Sequence, residues 1–160
     1  MIAHKPIAYV QAAWHTDITE HCKQAFVAEM TKQGYPTGTI EFFSAPGSLE
    51  IPLMAKKLAK SGRYAAVCAS GLVVDGGIYR HDFVAHAVLQ GIVQTSLETE
   101  VPVLSAVLTP HHFHEHAVHA EFFKRHMETK GRELAKACVS IVEKLARLDA
   151  TLEGAGRGAH

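Results

Sequence analysis

The run Tyr64–Ser70, YAAVCAS, offers no polar face. Successive side chains of a strand point to opposite sides, so a sheet with one wet side alternates apolar and polar residues. A strand without that alternation must be covered on both sides, the condition of a parallel sheet lying between two layers of helix. The rest of the chain agrees with this demand. Ile7–Gln11 (IAYVQ) is a short apolar run rich in β-forming residues and reads as a buried strand. Thr39–Phe43 (TIEFF) reads as a second strand and Val103–Leu108 (VLSAVL) as a fourth. Segments of helical spacing separate them. Thr16–Lys32 sets Ile18, Cys22, Ala25, Phe26 and Met30 on one stripe, and Gly34, Pro36 and Gly38 end it. Leu49–Ala59 reads as a helix stopped by Gly62. Asp82–Leu97 is a longer helix. Phe113–Arg125 and Arg132–Leu148 read as two more, separated near Thr129-Lys130-Gly131.

Strands alternating with helices imply right-handed βαβ units. The fold expected is α/β, a three-layer αβα sandwich around a four-stranded parallel sheet. It forms one domain over residues 1–153, with Gly154–His160 as a disordered tail. A domain of this length buries roughly two thirds of its unfolded surface, so folding requires neither disulfide nor metal. Lys and Arg together number 16, as do Asp and Glu, which argues against a nucleic-acid or acidic-membrane partner. Cys22, Cys68 and Cys138 are odd in number and form no C-x-x-C pair, which suits reduced thiols in a cytoplasmic protein. The opening MIAHKPIAYVQAAWH lacks the basic start and long apolar stretch of a signal peptide. The most apolar run, Ala65–Val74, is too short to span a bilayer.

In open parallel sheets, ligands sit beyond the carboxyl ends of the strands. The unusual residues cluster there: Trp14-His15, Pro46–Glu50, Asp75–Arg80 and Thr109–His112. Trp14, the sole tryptophan, reads either as core or as a stacking face for a flat heteroaromatic ring. Ser48 and Glu50 suit a helix cap and first turn, and equally suit the hydroxyls of a polyol. Gly76-Gly77-Ile78, ahead of a helix, is either a plain turn or a cradle of backbone N–H groups for phosphate. HHFHEHAVH (111–119) tempts a metal reading, since His112 and His116 are i, i+4. H-E-x-x-H is absent, however, and no further ligand set is spaced to complete a site, so no metal is expected.

Four segments taken in order resemble one family. PGSLEIP (46–52), GLVVDGGIYRHDFV (71–84), VPVLSAVLT (101–109) and Lys130-Gly131 with Glu133 are similar to the corresponding stretches of lumazine synthases, with a short insertion before Lys130. GGIYRHDFV followed by TPHHFHE looks most like the divergent second bacterial type. The resemblance implies a flavodoxin-like fold and sites between neighbours in pentamers, which pair into decamers or close into sixty-subunit shells. It implies condensation of 5-amino-6-(ribitylamino)uracil with 3,4-dihydroxy-2-butanone 4-phosphate to 6,7-dimethyl-8-ribityllumazine, phosphate and water, without metal or organic cofactor. By the same resemblance Trp14, His15, Ser48, Leu49, Glu50, Val73, Val74, Gly76, Gly77, Ile78, Ser105 and Lys130 contact substrate. His15 stands where the family commonly has Asn, and Ile78 where a Thr is usual.

Two further departures are paired. Arg80 stands where the family has a His read as a proton shuttle, and His119 where it has a phosphate-binding Arg. Arginine stays protonated and cannot act as a base near neutrality, and an extended backbone points the adjacent His81 the other way. One reading of this exchange gives Arg80 the fixed charge at the phosphate and His119 of a neighbouring subunit the titratable group; the other has each position drifting separately, with the Gly76–Ile78 amides alone holding the phosphate. The insertion before Lys130 is expected to alter the angle between the last two helices and to favour a decamer. Two rival readings remain: a weakly catalytic homologue that binds flavin or lumazine as sensor or carrier, and an unrelated flavodoxin-like signalling module. The second rival lacks its acidic pair, since Gln11-Ala12-Ala13 follows in the first strand and Ser70-Gly71 in the third.

Overall fold

The computed structural model describes residues 5–74, 80–109 and 117–158, with only the backbone of 117–119 and 157. Four strands, β1 (Ile7–Ala12), β2 (Ile40–Ala45), β3 (Ala66–Leu72) and β4 (Val103–Leu108), form one sheet in the order β2-β1-β3-β4. Every pairing is parallel. The helices are α1 (Thr16–Lys32), α2 (Ile51–Lys60), α3 (His81–Thr99) and α4 (Ala117–Arg157). All seven residues of β3 are buried, as a strand without a polar face requires. One face of the sheet (Ile7, Tyr9, Cys68, Leu72) packs on Cys22, Phe26 and Met30 of α1 and on Met127, Leu134 and Cys138 of α4. The other face (Ala8, Val10, Val67, Ala69) packs on Ile51 and Ala55 of α2 and Val88 and Ile92 of α3. These are the three layers expected, and the strand order is that of flavodoxin-like folds.

The topology also places the crevice. The chain leaves β1 toward β2 through α1 on one face, and leaves β3 toward β4 through α3 on the other. Right-handed crossovers force this exchange of faces when the direction of travel reverses. The reversal falls between β1 and β3, and the cleft beyond their carboxyl ends is the switch point where such sheets bind ligands.

Two expectations are corrected. The two last helices are a single helix of 41 residues, continuous through Lys130 and Gly131. Glycine lowers helix propensity and was read as a break, but here it has a packing role. A Cβ at Gly131 would stand 2.3 Å from the Cys22 carbonyl oxygen and 3.0 Å from Ala25 Cβ. Gly131 thus lets α4 lie directly on the backbone of α1, and there is no inter-helix angle for an insertion to change. The helix also runs through Gly154 to Arg157, into the stretch expected to be a disordered tail. Among the described residues, and the helix's own nearby backbone aside, nothing lies within 4 Å of where a Cβ on Gly154 or Gly156 would be. Smaller shifts concern boundaries: α2 begins at Ile51 rather than Leu49, after a 3₁₀ turn over Ser48–Glu50. Gly62, at φ 74°, lies just past its end as anticipated.

All three cysteines are free and buried on the α1/α4 side of the sheet. Burial pushes the Cys22 thiol up to about 11.

In a solvent-exposed helix, Gly→Ala stabilises by about 1 kcal/mol. At Gly131 the collision with rigid backbone reverses that sign. Gly131→Ala is expected to destabilise by about 1–3 kcal/mol, the usual range for overpacking. Urea denaturation checks this; an increase in stability would show that α4 does not rest on α1 at this point.

Candidate functional site

The segment after β1 is fixed by its backbone. The Ala13 N–H donates to the Ala45 carbonyl at the end of β2 (2.9 Å). His15 then turns into the left-handed region, φ 55° and ψ 45°, ahead of α1. Its carbonyl accepts from the N–H groups of Ile18 and Thr19, both at 3.0 Å, and from the Thr19 hydroxyl at 3.3 Å. Asn and His are among the few non-glycine residues enriched in this region, so His15 can hold the turn that the family's Asn would hold. With both neighbours tied down, Trp14 projects outward and is 64% exposed, which excludes a core role within the chain.

The segment after β2 meets it. Pro46 and the extended Gly47 lead into the 3₁₀ turn Ser48–Glu50. A Cβ on Gly47 would lie 3.1 Å from Glu50 Oε2 and 3.8 Å from Trp14 Nε1. The carboxylate and the indole N–H therefore border one gap, floored by a glycine. Ser48 does not cap α2; Glu50 stands at the cap position and makes no side-chain capping bond. The Ser48 hydroxyl instead turns toward Gly71 near the end of β3. Leu49 is exposed beside them. A flat π surface, a carboxylate and a hydroxyl on one rim can hold an aromatic ring bearing a chain of hydroxyls.

The segment after β3 is stapled to β4. Val73 N–H donates to the Leu108 carbonyl (2.8 Å), and the Thr109 hydroxyl donates to the Val73 carbonyl (2.9 Å). The side chains of Val73 and Val74 pack into the two opposite cores. Gly76, Gly77 and Ile78 lie outside the described residues, as do His112, His114 and His116 and the side chain of His119. Among the described residues no group of three or more His, Cys, Asp or Glu could hold a metal ion. Arg80 precedes α3 with its side chain 70% exposed. It pairs with Asp82 at 2.9 Å and lies over the Phe83 ring at 4.8 Å. Asp82 occupies the first turn of α3, as expected for an acid at a helix start.

Ser105 and Lys130 are elsewhere. They line a groove of about 380 Å³ between β4 and α4, shared with Leu104, Leu108, Glu133 and Leu134. Lys130 pairs with Glu133 at 2.9 Å, and that hydrogen bond holds the Glu133 carboxyl below its ordinary value. The Ser105 hydroxyl accepts from Val107 N–H at 3.0 Å. This edge is two strands from β1, about 10 Å across the sheet. A single chain thus brings Trp14, Ser48, Leu49 and Glu50 together and sets Ser105 and Lys130 on a separate flank. Sequence reasoning missed the steric parts of Gly47 and Gly71. The available signal was a glycine inside an otherwise apolar central strand, which marks close approach.

Residues 4–146 match the sequence profile of the 6,7-dimethyl-8-ribityllumazine synthase family. A protein of Rhodococcus erythropolis named 6,7-dimethyl-8-ribityllumazine synthase is 53% identical over 142 residues, 89% of this chain and 92% of the relative. One of Pseudomonas syringae pv. tomato, named 6,7-dimethyl-8-ribityllumazine synthase 2, is 52% identical over 152 residues, 93% of this chain and 89% of the relative. One of Caulobacter vibrioides, numbered synthase 1, is 34% identical over 142 residues, 89% of this chain and 91% of the relative.

Because Trp14 is the sole tryptophan and is exposed, its emission reports the rim directly. Riboflavin, used as a probe ring, is expected to quench it saturably, beyond the quenching of free tryptophanamide. Linear quenching no stronger than that control would remove Trp14 from the site.

Proposed function

The chain belongs to the 6,7-dimethyl-8-ribityllumazine synthase family, and on that premise we infer that it condenses 5-amino-6-(ribitylamino)uracil with 3,4-dihydroxy-2-butanone 4-phosphate in riboflavin biosynthesis. Among features of the structure, the rim shared by Trp14, Gly47 and Glu50 carries this reading furthest. The pyrimidine stacks on Trp14 with His15 beside it. The ribityl hydroxyls meet Ser48, Glu50 and the backbone near Leu49. Val74 contributes through its backbone at the switch point, and Val73, whose N–H and carbonyl are both engaged with the β4 segment, holds that backbone in place. Gly76, Gly77 and Ile78 present amides to the phosphate.

The amine adds to the ketone and an imine forms. Phosphate then leaves, the chain isomerises, and the ring closes with loss of water. Both substrates are already reactive, so juxtaposing them supplies most of the acceleration, up to about 7–11 kcal/mol. Acid–base assistance adds about 10²–10⁴-fold. In our reading no metal or organic cofactor takes part. Arg80 exchanges its Asp82 partner for the substrate phosphate, which a guanidinium binds as a fork. His119 of a neighbouring subunit supplies the group that titrates near neutrality.

The separation of the two flanks supports a site shared between subunits. A head-to-tail contact sets one surface of a chain against a different surface of the next, and repeated around an axis it closes a ring. Such a contact in a pentamer would bring Ser105 and Lys130 of one chain toward the Trp14 rim of another. Phe83, Leu89, Val93 and Leu97 of α3 are exposed, apolar and available to the ring interface. The decamer is not supported by a helix angle. It rests on Leu148 and Leu152, exposed at the free end of α4, as apolar surface for a second ring. A cytoplasmic location fits three buried thiols that have formed no disulfide.

The decisive measurement is lumazine fluorescence from the two purified substrates; no product above the uncatalysed rate would overturn the assignment. Arg80→Ala is expected to raise the KM for the phosphate substrate more than that for the pyrimidine, and His119→Ala to flatten the pH–rate profile between roughly pH 6 and 8. Equal changes in both KM values would remove Arg80 from the phosphate. Light scattering is expected to give about 174 kDa, ten chains of 17.4 kDa. A monomer or a particle near a megadalton would refute the decamer.

A further inference from the structure

Gly71 lies in β3 opposite Val107 and is buried. Its backbone is not left-handed; among the described glycines only Gly34 and Gly62 have positive φ. No conformational demand explains a glycine here, and glycine weakens a strand interior. The cause is steric. A Cβ at this position would lie 2.7 Å from Ser48 Oγ, 3.3 Å from Ala12 Cβ and 3.8 Å from Val107 Cγ1. Ala12 and Val107 are buried members of neighbouring strands, so neither can retreat. Ser48 sits on a short turn flanked by the exposed Leu49 and Glu50. The turn is therefore the side that yields.

We propose that Gly71 is a positioning residue for substrate recognition: the missing side chain sets how deeply the Ser48 hydroxyl seats at the end of the sheet. The inference rests on the reading of Ser48 as a ribityl ligand. Gly71 itself touches no substrate. An added methyl leaves Ser48 two ways out, rotation about χ1 or a lift of the whole turn. Either takes the hydroxyl from its place, and a contact from about 2.7 Å to an ordinary 3.4 Å or more implies movement beyond the ~0.5 Å tolerance of a preorganised site. A lift of the turn would also shift the carboxylate of Glu50.

The test is a cycle of wild type, Gly71→Ala, Ser48→Ala and the double variant, with KM measured separately for the ribitylamino pyrimidine and the butanone phosphate, and kcat and Tm beside them. Gly71→Ala is expected to raise the pyrimidine KM about tenfold, the cost of one lost hydrogen bond to substrate. The phosphate-substrate KM should stay within about twofold, below the effect of even a weak contact. In the Ser48→Ala background the same change should add less than about twofold, because no oxygen remains to displace. A factor that persists in that background, or equal rises in both KM values, would overturn the inference alone. Ser48→Ala indistinguishable from wild type would sink the reading of Ser48 as a ligand, and this inference with it. If Gly71→Ala does not fold, recovery of folding in the double variant supports the contact. Failure of both variants assigns Gly71 to packing against Ala12 and Val107 instead, and the proposal falls.

Discussion

The constraint on which the rest depends is that β3 is buried from its first residue to its last. A strand covered on both faces leaves its backbone no solvent to bond, so it needs a partner on each edge, and β1 and β4 supply them. It also needs helices above and below, and the α1/α4 and α2/α3 layers supply those. Once both faces are closed, chemistry can happen only where strands end. The exposure of Trp14, Leu49 and Glu50 follows from the same demand that makes Cys68 and Ala69 inaccessible.

The seat of the site is more constrained than its rim. Ala13 N–H to Ala45 O, Val73 N–H to Leu108 O and the Thr109 hydroxyl to Val73 O join the carboxyl ends of all four strands in adjacent pairs. None of these bonds involves a side chain assigned to substrate. They fix the platform, and the functional side chains stand on short turns above it. His15 adds a left-handed residue at the same place, a conformation that costs of order 1–3 kcal/mol for most side chains and less for His or Asn. Such a residue persists when its surroundings hold it, and here α1 holds it through the two amides that His15 caps.

What was legible in the sequence was periodicity, and what was not was contact. Thr16–Lys32 and Val103–Leu108 carried clear apolar patterns and have the bounds those patterns set. Gly131 read as a break because propensity is local, while its carbonyl neighbour on α1 is more than a hundred positions away. Ser48 read as a cap because serine before a helix usually is one, yet a 3₁₀ turn intervenes and its hydroxyl lies against β3. The loop motifs located Trp14 and Glu50 at one rim. They could not show that Ser105 and Lys130 would sit on another flank, because sequence order does not reveal which strand becomes an edge.

The free thiols have a consequence of their own. Cys22, Cys68 and Cys138 come from three different elements, α1, β3 and α4, yet all lie in the same layer of core. A water-borne electrophile can reach any of them only when that layer parts from the sheet, because burial hides all three sulfurs and, at Cys22 and Cys68, also suppresses ionisation to the reactive thiolate. The opposite layer, where α2 and α3 meet the sheet, contains no cysteine. Nature has in effect labelled one half of this molecule: sulfhydryl chemistry keeps time with the breathing of α1 and α4 and stays silent when α2 and α3 move alone.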